Sequence, residues 1–369
     1  MCSGPNFDRY AVSEGKPARG AGEFEWIECL QRIHGNRRSR RFPLRIGDDA
    51  AAWTPADDAT TVLTVDAQVE GVHFRRDWLS WRDLGHRAVS ASLSDLAAMG
   101  ARPRCLLVSL VLDAQTDSRS FRDLQRGIAA TARQYDVVVA GGNLSQGQLA
   151  VHVTALGECR PDRLLTRSGA RVGDTIWVTG SPGLAALGVR YLSDSAKACR
   201  LTPRPLAPAL RAYRRPTARV ASALYLARYW RPSALIDVSD GLAADLGHVL
   251  RSSSGIRQRT LGAELRADAL RALPKLSRAA QSAGVDVVSA ALQGGEDYEL
   301  LFTTSPIVRE ERKRHLFDAR FKLALTAIGT VTSAPGTVVT ETDGTRREIA
   351  SGTGWDHFGA RGRSPSKRH

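Results

Sequence analysis

The sequence predicts a two-domain protein of mixed α/β or α+β class, and three observations carry that expectation. Its 369 residues exceed the usual size of one domain. Short β-branched or apolar runs alternate with segments whose apolar residues recur at helical spacing. A polar, basic stretch from Cys159 to Arg171 separates two such series, and the boundary is placed there.

In the first series, Glu23 to Ile33 reads as a helix, with Phe24, Ile27 and Leu30 on one face. Thr61 to Val65 is a β-branched strand with Asp66 immediately at its end. Trp81 to Met99 is a helix whose stripe is Val89, Leu93 and Leu96. Asp95 lies off that stripe and is free to face a cleft, and Gly100 supplies a stop. Cys105 to Leu112 is a buried strand, and Ser118 to Tyr135 a helix with Phe121, Leu124 and Ile128 inward. Val137 to Ala140 is a strand ending in Gly141-Gly142-Asn143, and Leu149, Val151, Val153 and Ala155 alternate as a half-buried strand.

The second series opens with a strand, Thr175 to Thr179, and a Gly180-Ser181-Pro182-Gly183 turn. Pro203 to Pro216 reads as a Pro/Arg-rich connection, Val220 to Tyr229 as a helix, and Ala234 to Ile236 as a strand leading to Asp237. Gly241 to Leu250 is a helix; Tyr298 to Thr303 and Leu323 to Val331 are strands. Residues 1–22 and 360–369 read as flexible ends. The domains are then 23–158 and 159–359.

Composition excludes several classes. Apolar residues make up 43% and charged residues 24%, ordinary for a globular protein. No run of about 18 apolar residues occurs, so no membrane span is expected. Met1 to Gly20 lacks the apolar core of a secretory signal. The five cysteines are widely spaced with no Cys-x-x-Cys pair, which argues against zinc and iron–sulfur sites and fits a reducing cytoplasm. A formal net charge of +14 raises a nucleic-acid-binding reading, in which the acidic clusters are merely structural. The basic clusters, Arg37-Arg38-Ser39-Arg40-Arg41 and the tail Arg361, Arg363, Lys367 and Arg368, read instead as solvated loop and tail. No aromatic-interleaved basic stretch accompanies them. A positive field also favours small anionic substrates.

Against this basic background, five acidic motifs sit beside glycines or at the ends of apolar runs. They are Gly47-Asp48-Asp49-Ala50, Thr64-Val65-Asp66, Ser94-Asp95, Asp237-Val238-Ser239-Asp240-Gly241 and Gly294-Gly295-Glu296-Asp297-Tyr298-Glu299. Magnesium takes hard oxygen ligands, usually one or two carboxylates plus substrate phosphates. The inventory therefore reads as a phosphoryl-transfer enzyme. Each motif alone also has a plainer reading. Gly47-Asp48-Asp49 fits an Asp turn. Ser239 and Asp240 fit a helix cap, although a helix N-terminus also attracts phosphate. Gly141-Gly142-Asn143 could let backbone N–H groups approach a phosphate or simply form a turn. His73 and Trp355 fit packed residues as well as substrate contacts. Neither a Walker A motif nor a Gly-x-Gly-x-x-Gly fingerprint occurs, which argues against P-loop and dinucleotide-binding domains.

Taken together, the segments Gly47–Ala51, Thr64–Phe74, Ser94–Ala101, Leu165–Ala170, Ile236–Leu246, Gly294–Leu300 and Trp355–Phe358 resemble the thiamine-monophosphate kinases. That family shares a superfamily with aminoimidazole ribonucleotide synthetase and selenophosphate synthetase. The resemblance implies an N-terminal α/β domain that dimerises through its sheet, a C-terminal α+β domain, and ATP with several magnesium ions in the cleft between them. It implies Asp49, Thr64, Asp66, Asp95, Asn143, Asp237 and Asp240 as metal ligands, and Gly142, Asn143, Arg167 and Ser239 as ATP contacts. His73, Glu296 and Trp355 would face thiamine monophosphate, and Asp95, Asp237 and Arg167 would carry the catalysis. Two positions depart from the family pattern. Asn143 stands where an Asp is usual, and Val65 where a Thr is usual. Both thin one metal position. They leave open another acceptor within the superfamily, and a non-catalytic relative.

Overall fold

The computed structural model describes residues 23–35, 39–46, 50–194, 204–257, 259–306 and 310–349. The expected flexible ends, Arg37-Arg38, Asp49 and Trp355 lie outside the described residues.

The N-terminal half is a four-stranded sheet covered on one face by helices. Its strands are β1 (Thr60–Val69), β2 (Arg102–Leu112), β3 (Val138–Gln146) and β4 (Ala150–Cys159), in the order β1-β4-β2-β3. Pairing is antiparallel except between β2 and β3. A parallel pair needs a long crossover, which α3 (Ser118–Gln134) provides. The helix α2 (Trp81–Ala98) joins β1 to β2. Ser80 caps α2 by accepting from the N–H of Asp83, and Asp117 caps α3 by accepting from that of Ser120. The two helices touch backbone to backbone at Gly85 and Gly127, where a Cβ would run into the carbonyls of Leu124 and Arg82. Val89, Leu93 and Leu96 of α2 are fully buried, as their spacing predicts. The other sheet face is bare in places: Leu63 and Val65 are each 65% exposed. The short helix α1 (Glu23–His34) lays Trp26 edge-on against Phe121 of α3.

The C-terminal half is a seven-stranded sheet in the order β11-β10-β7-β9-β5-β8-β6. Its strands are β5 (Thr175–Thr179), β6 (Ala234–Val238), β7 (Gly262–Arg266), β8 (Glu299–Thr304), β9 (Leu325–Thr332), β10 (Gly336–Thr340) and β11 (Arg346–Ile349). All neighbours are antiparallel except β10 and β7. The helices are α4 (Leu184–Ser193), α5 (Ala207–Arg214), α6 (Val220–Tyr229), α7 (Leu242–Arg257), α8 (Ala267–Arg271), α9 (Leu276–Ala283), α10 (Val287–Gln293) and α11 (Glu310–Phe321). Ile176, Val178 and Leu301 pack with α4, α5 and α7 to α10 on one sheet face. Trp177, Leu300 and Phe302 point the other way, into a cluster that continues through α6 into the N-terminal core. Every residue of β8 is buried because both of its faces are covered.

The halves are joined as one packed body through α2 and α3. His86 Nε2 lies 2.8 Å from the Pro216 carbonyl, Tyr135 donates its hydroxyl to the Ala218 carbonyl, and Arg214 donates to that of Trp78. Among the described residues no helix is long and apolar enough to cross a membrane.

Three readings are corrected. β1 runs on to Val69, so Asp66 lies inside the strand, paired with Val153 of β4. Its carboxylate escapes an apolar face because the site lies over that face. β3 continues through Gly141-Gly142-Asn143, held by ladder pairing with β2, so these residues form no turn. The Pro203–Pro216 connection contains α5, because Pro208 sits in the first turn, where no helical donor is lost.

Candidate active site

Alternation along β1 turns Thr64, Asp66 and Gln68 toward α2, and Leu63 and Val65 away from it. The last turns of α2 meet this face and β6 together. Thr64 Oγ1 donates to Asp95 Oδ2 at 2.5 Å, and Ser94 Oγ donates to Asp237 Oδ2 at 2.6 Å. Two consecutive helix residues thus reach two different sheets. Asp66, Asp95 and Asp237 are brought together where the halves meet.

These carboxylates burden one another. Burial, then the charge of Asp95, pushes Asp66 up to about 6, against the Ala67 N–H and the charge of Arg87. Burial and then Asp95 push Asp237 up to about 7, although Ser94 opposes this. Burial raises Asp95 too, with the Thr64 hydroxyl and the charge of Arg167 acting the other way. A low dielectric penalises each charge, and like neighbours add to the penalty. Arg167, on an exposed stretch between the halves, is the cation that acts on Asp95.

Beyond β6, the backbone folds round a further carboxylate. Asp245 Oδ2, in the first turn of α7, accepts from the N–H groups of Ser239, Asp240 and Gly241 at 3.1, 3.2 and 3.1 Å. Three converging N–H groups make an anion-binding concavity, and Asp245 fills it. Burial, then Asp237 and Asp240, still pushes Asp245 up to about 8. The hydroxyl of Ser239 and the carboxylate of Asp240 are what this loop can offer a ligand. Ligand atoms of Asp240, Asp245 and His248 lie within 4.8 Å of one another. Sequence reasoning missed Asp245 and His248. The signal was an acid three residues into a helix entered through Asp-Gly.

The late acidic motif divides. The N–H of Glu296 donates to the Ser239 carbonyl at 2.7 Å, and that of Tyr298 to the Val238 carbonyl at 2.8 Å. Glu296 and Tyr298 both have left-handed backbones, with φ of 67° and 53°, a costly conformation for such residues that tends to occur at functional sites. Glu296 Oε1 lies 2.5 Å from Arg87 Nη2 of α2. Asp297 points away and accepts from the N–H groups of Gly183 and Ala185 at the start of α4. Glu299 accepts from Nε and Nη2 of Arg219 and from the Thr179 hydroxyl. Only Glu296 of the three belongs with the cleft.

His73 is half-buried in the turn after β1, its Nδ1 accepting from the Val69 N–H at 3.1 Å. Gly142 and Asn143 are not brought to the cluster. Register places Asp66 level with Val153, Val108 and Gly142. The strands β4 and β2 lie between, so β1 and β3 stand roughly 14 Å apart at about 4.8 Å per strand. Asn143 is exposed, and alternation turns it to the sheet face opposite Asp66.

The family described as AIR synthase related protein, N-terminal domain, matches residues 47–159. The thiamine-monophosphate kinase of Salmonella typhimurium is 34% identical over 290 residues, covering 78% of this chain and 84% of that protein. That of Haemophilus influenzae is 32% identical over 322 residues, covering 85% and 92%. Among solved structures, the thiamine-monophosphate kinase of Stenotrophomonas maltophilia superposes with a TM-score of 0.72 at 33% identity, covering 87% of this chain and 96% of that one. A ThiL chain complexed with AMPPCP and TMP superposes with a TM-score of 0.68 at 29% identity, covering 94% and 100%. The chain belongs to the thiamine-monophosphate kinase family.

Proposed function

We propose that this chain transfers the γ-phosphoryl group of ATP to the phosphate of thiamine monophosphate, giving ADP and thiamine diphosphate. The observation that carries the reading is the convergence of Asp66, Asp95 and Asp237 between the halves, where the charge of Asp95 raises the proton affinity of both Asp66 and Asp237. Such a cluster calls for cations, and its all-oxygen donor set suits magnesium. Thr64, Asp66, Asp95, Asp237 and Asp240 would hold the ions, with Asp49 from the glycine-acid motif. Bound there, magnesium would screen the repulsion between the triphosphate and the acceptor phosphate.

The remaining work falls to side chains of this chain. The attacking oxygen belongs to a phosphate already ionised at neutral pH, so no strong general base is needed. Transfer then depends on positioning and charge. Arg167 adds positive charge on the ATP side, and the Ser239 hydroxyl offers a contact at the start of α7. His73 and Glu296 flank the acceptor side, and Trp355 would stack on its cationic ring.

The proposed assembly is a homodimer. Leu63 and Val65 expose apolar surface on a sheet that would otherwise face water. In one chain Gly142 and Asn143 sit on the edge far from Asp66. Two sheets packed face to face through this surface would cover Leu63 and Val65 and lay β3 of one chain, with Asn143, over β1 of its partner. A cytoplasmic location suits the free thiols of Cys29, Cys105 and Cys159. The test is stoichiometric. ADP release should require both magnesium and thiamine monophosphate, one ADP for each thiamine diphosphate formed. ADP release that ignores the acceptor would reject the reading.

A further inference from the structure

Arg87 sits midway along α2, and its side chain has no exposed surface. A buried guanidinium is costly unless its charge is paired and its donors are used. Here Nε donates to Gln68 Oε1 at 3.0 Å, and Nη1 donates to the Tyr213 carbonyl at 2.6 Å. Nη2 lies 2.5 Å from Glu296 Oε1. The guanidinium plane also packs over the Tyr213 ring, 4.5 Å from its centroid. Burial works against the Arg87 charge, and Glu296 is the largest of the groups that restore it, ahead of Tyr298 and Tyr213.

The partners come from three elements in two halves. Gln68 is 2% exposed and lies on the same face of β1 as Asp66. Tyr213 lies in the last turn of α5, and Glu296 stands in the loop before β8. Arg87 therefore ties the strand that carries Asp66 to the loop that carries Glu296. Glu296 needs such a tie. Its backbone is left-handed, and its side chain is 27% exposed. With Oε1 engaged by Arg87, no described residue pairs with Oε2.

We propose that Arg87 is a positioning residue: with Gln68 and the Tyr213 carbonyl it locks the Glu296 carboxylate in place, so that Oε2 is presented to the thiamine-phosphate acceptor. The proposal rests on the acceptor reading above. A planar fork that fixes two hydrogen bonds and an ion pair at once does what a point charge cannot, so lysine should be an incomplete substitute.

The experiment compares Arg87→Met, Arg87→Lys, Glu296→Gln and the Arg87→Met/Glu296→Gln double variant. KM for thiamine monophosphate, KM for ATP, and amide hydrogen exchange are measured on each. Arg87→Met should raise KM for thiamine monophosphate about tenfold or more, the fold-change that a lost charged hydrogen bond carries. KM for ATP should stay within about twofold. Arg87→Lys should fall between, and the double variant should be no worse than Glu296→Gln, because both changes remove one interaction. Amides of residues 294–298 should exchange faster in Arg87→Met while those of α2 stay protected. Unchanged kinetics, equal rises in both KM values, or a double variant whose loss is the product of the single losses would overturn the proposal. If Arg87→Met does not fold, the kinetics of Arg87→Lys decide in the same way. If the wild-type protein makes no thiamine diphosphate, the acceptor reading fails. The exchange at 294–298 then decides whether Arg87 holds Glu296, and unchanged exchange overturns that too.

Discussion

Replacing Asp237 by Asn should stabilise the metal-free protein at alkaline pH while removing its catalysis. Asp237 is 5% exposed, and it accepts from Ser94, a bond that the Asn carbonyl oxygen can keep. Burial and then Asp95 raise its carboxyl from 3.8 to about 7. At about 1.4 kcal/mol per tenfold change in proton affinity, that is on the order of 4 kcal/mol of destabilisation once the group ionises. The sign follows from proton counting. Between these two values the native state holds a proton that the unfolded state has released, so stability falls as pH rises through the window. Asn cannot ionise and escapes the loss. Denaturant unfolding in EDTA at pH 5 and pH 8 reads the effect. The variant should exceed wild type by up to about 4 kcal/mol at pH 8, shrinking to about 2 kcal/mol at pH 5. Added magnesium should stabilise wild type and narrow or reverse the gap, because it binds the native carboxylates. A variant no more stable than wild type at pH 8 in EDTA, or a gap independent of pH, would refute the argument that these carboxylates repel one another.

Asp95→Ala should lower turnover about 10²–10³-fold in a folded protein, the usual loss when a preorganised electrostatic stabiliser is removed; near-normal turnover would remove Asp95 from the machinery. Trp355→Leu should raise KM for thiamine monophosphate about two- to thirtyfold by losing a cation–π contact, with KM for ATP unchanged; a lower melting temperature with unaltered kinetics would make Trp355 a packing residue.

Periodic segments were legible because one force dominates them. The stripe Val89, Leu93 and Leu96 is buried in full, and the spans read for β5 and α6 match the folded elements. Strand ends were harder. β1, β3 and β6 extend past their apolar runs because cross-strand pairing, not side-chain character, holds Asp66, Asn143 and Asp237 in place. The convergence of Asp66, Asp95 and Asp237 was foreshadowed by residue type alone; the Ser94–Asp237 bond spans 143 positions, a separation that no local pattern encodes. Arg87 was invisible for a related reason. An Arg on the buried side of a helix looks like a flaw in the stripe until Gln68, Tyr213 and Glu296 arrive from elsewhere to satisfy it. Asp297 and Glu299 show the converse: an acidic run that looks like one motif splits between the cleft, a helix start and Arg219.

The most direct test of the account is the fate of a label on the γ-phosphorus of ATP. Incubation of the purified protein with labelled ATP, magnesium and thiamine monophosphate should place the label in the terminal phosphate of thiamine diphosphate, with none on inorganic phosphate in excess of a blank. Label released only as inorganic phosphate, or recovered on no thiamine species, would contradict it.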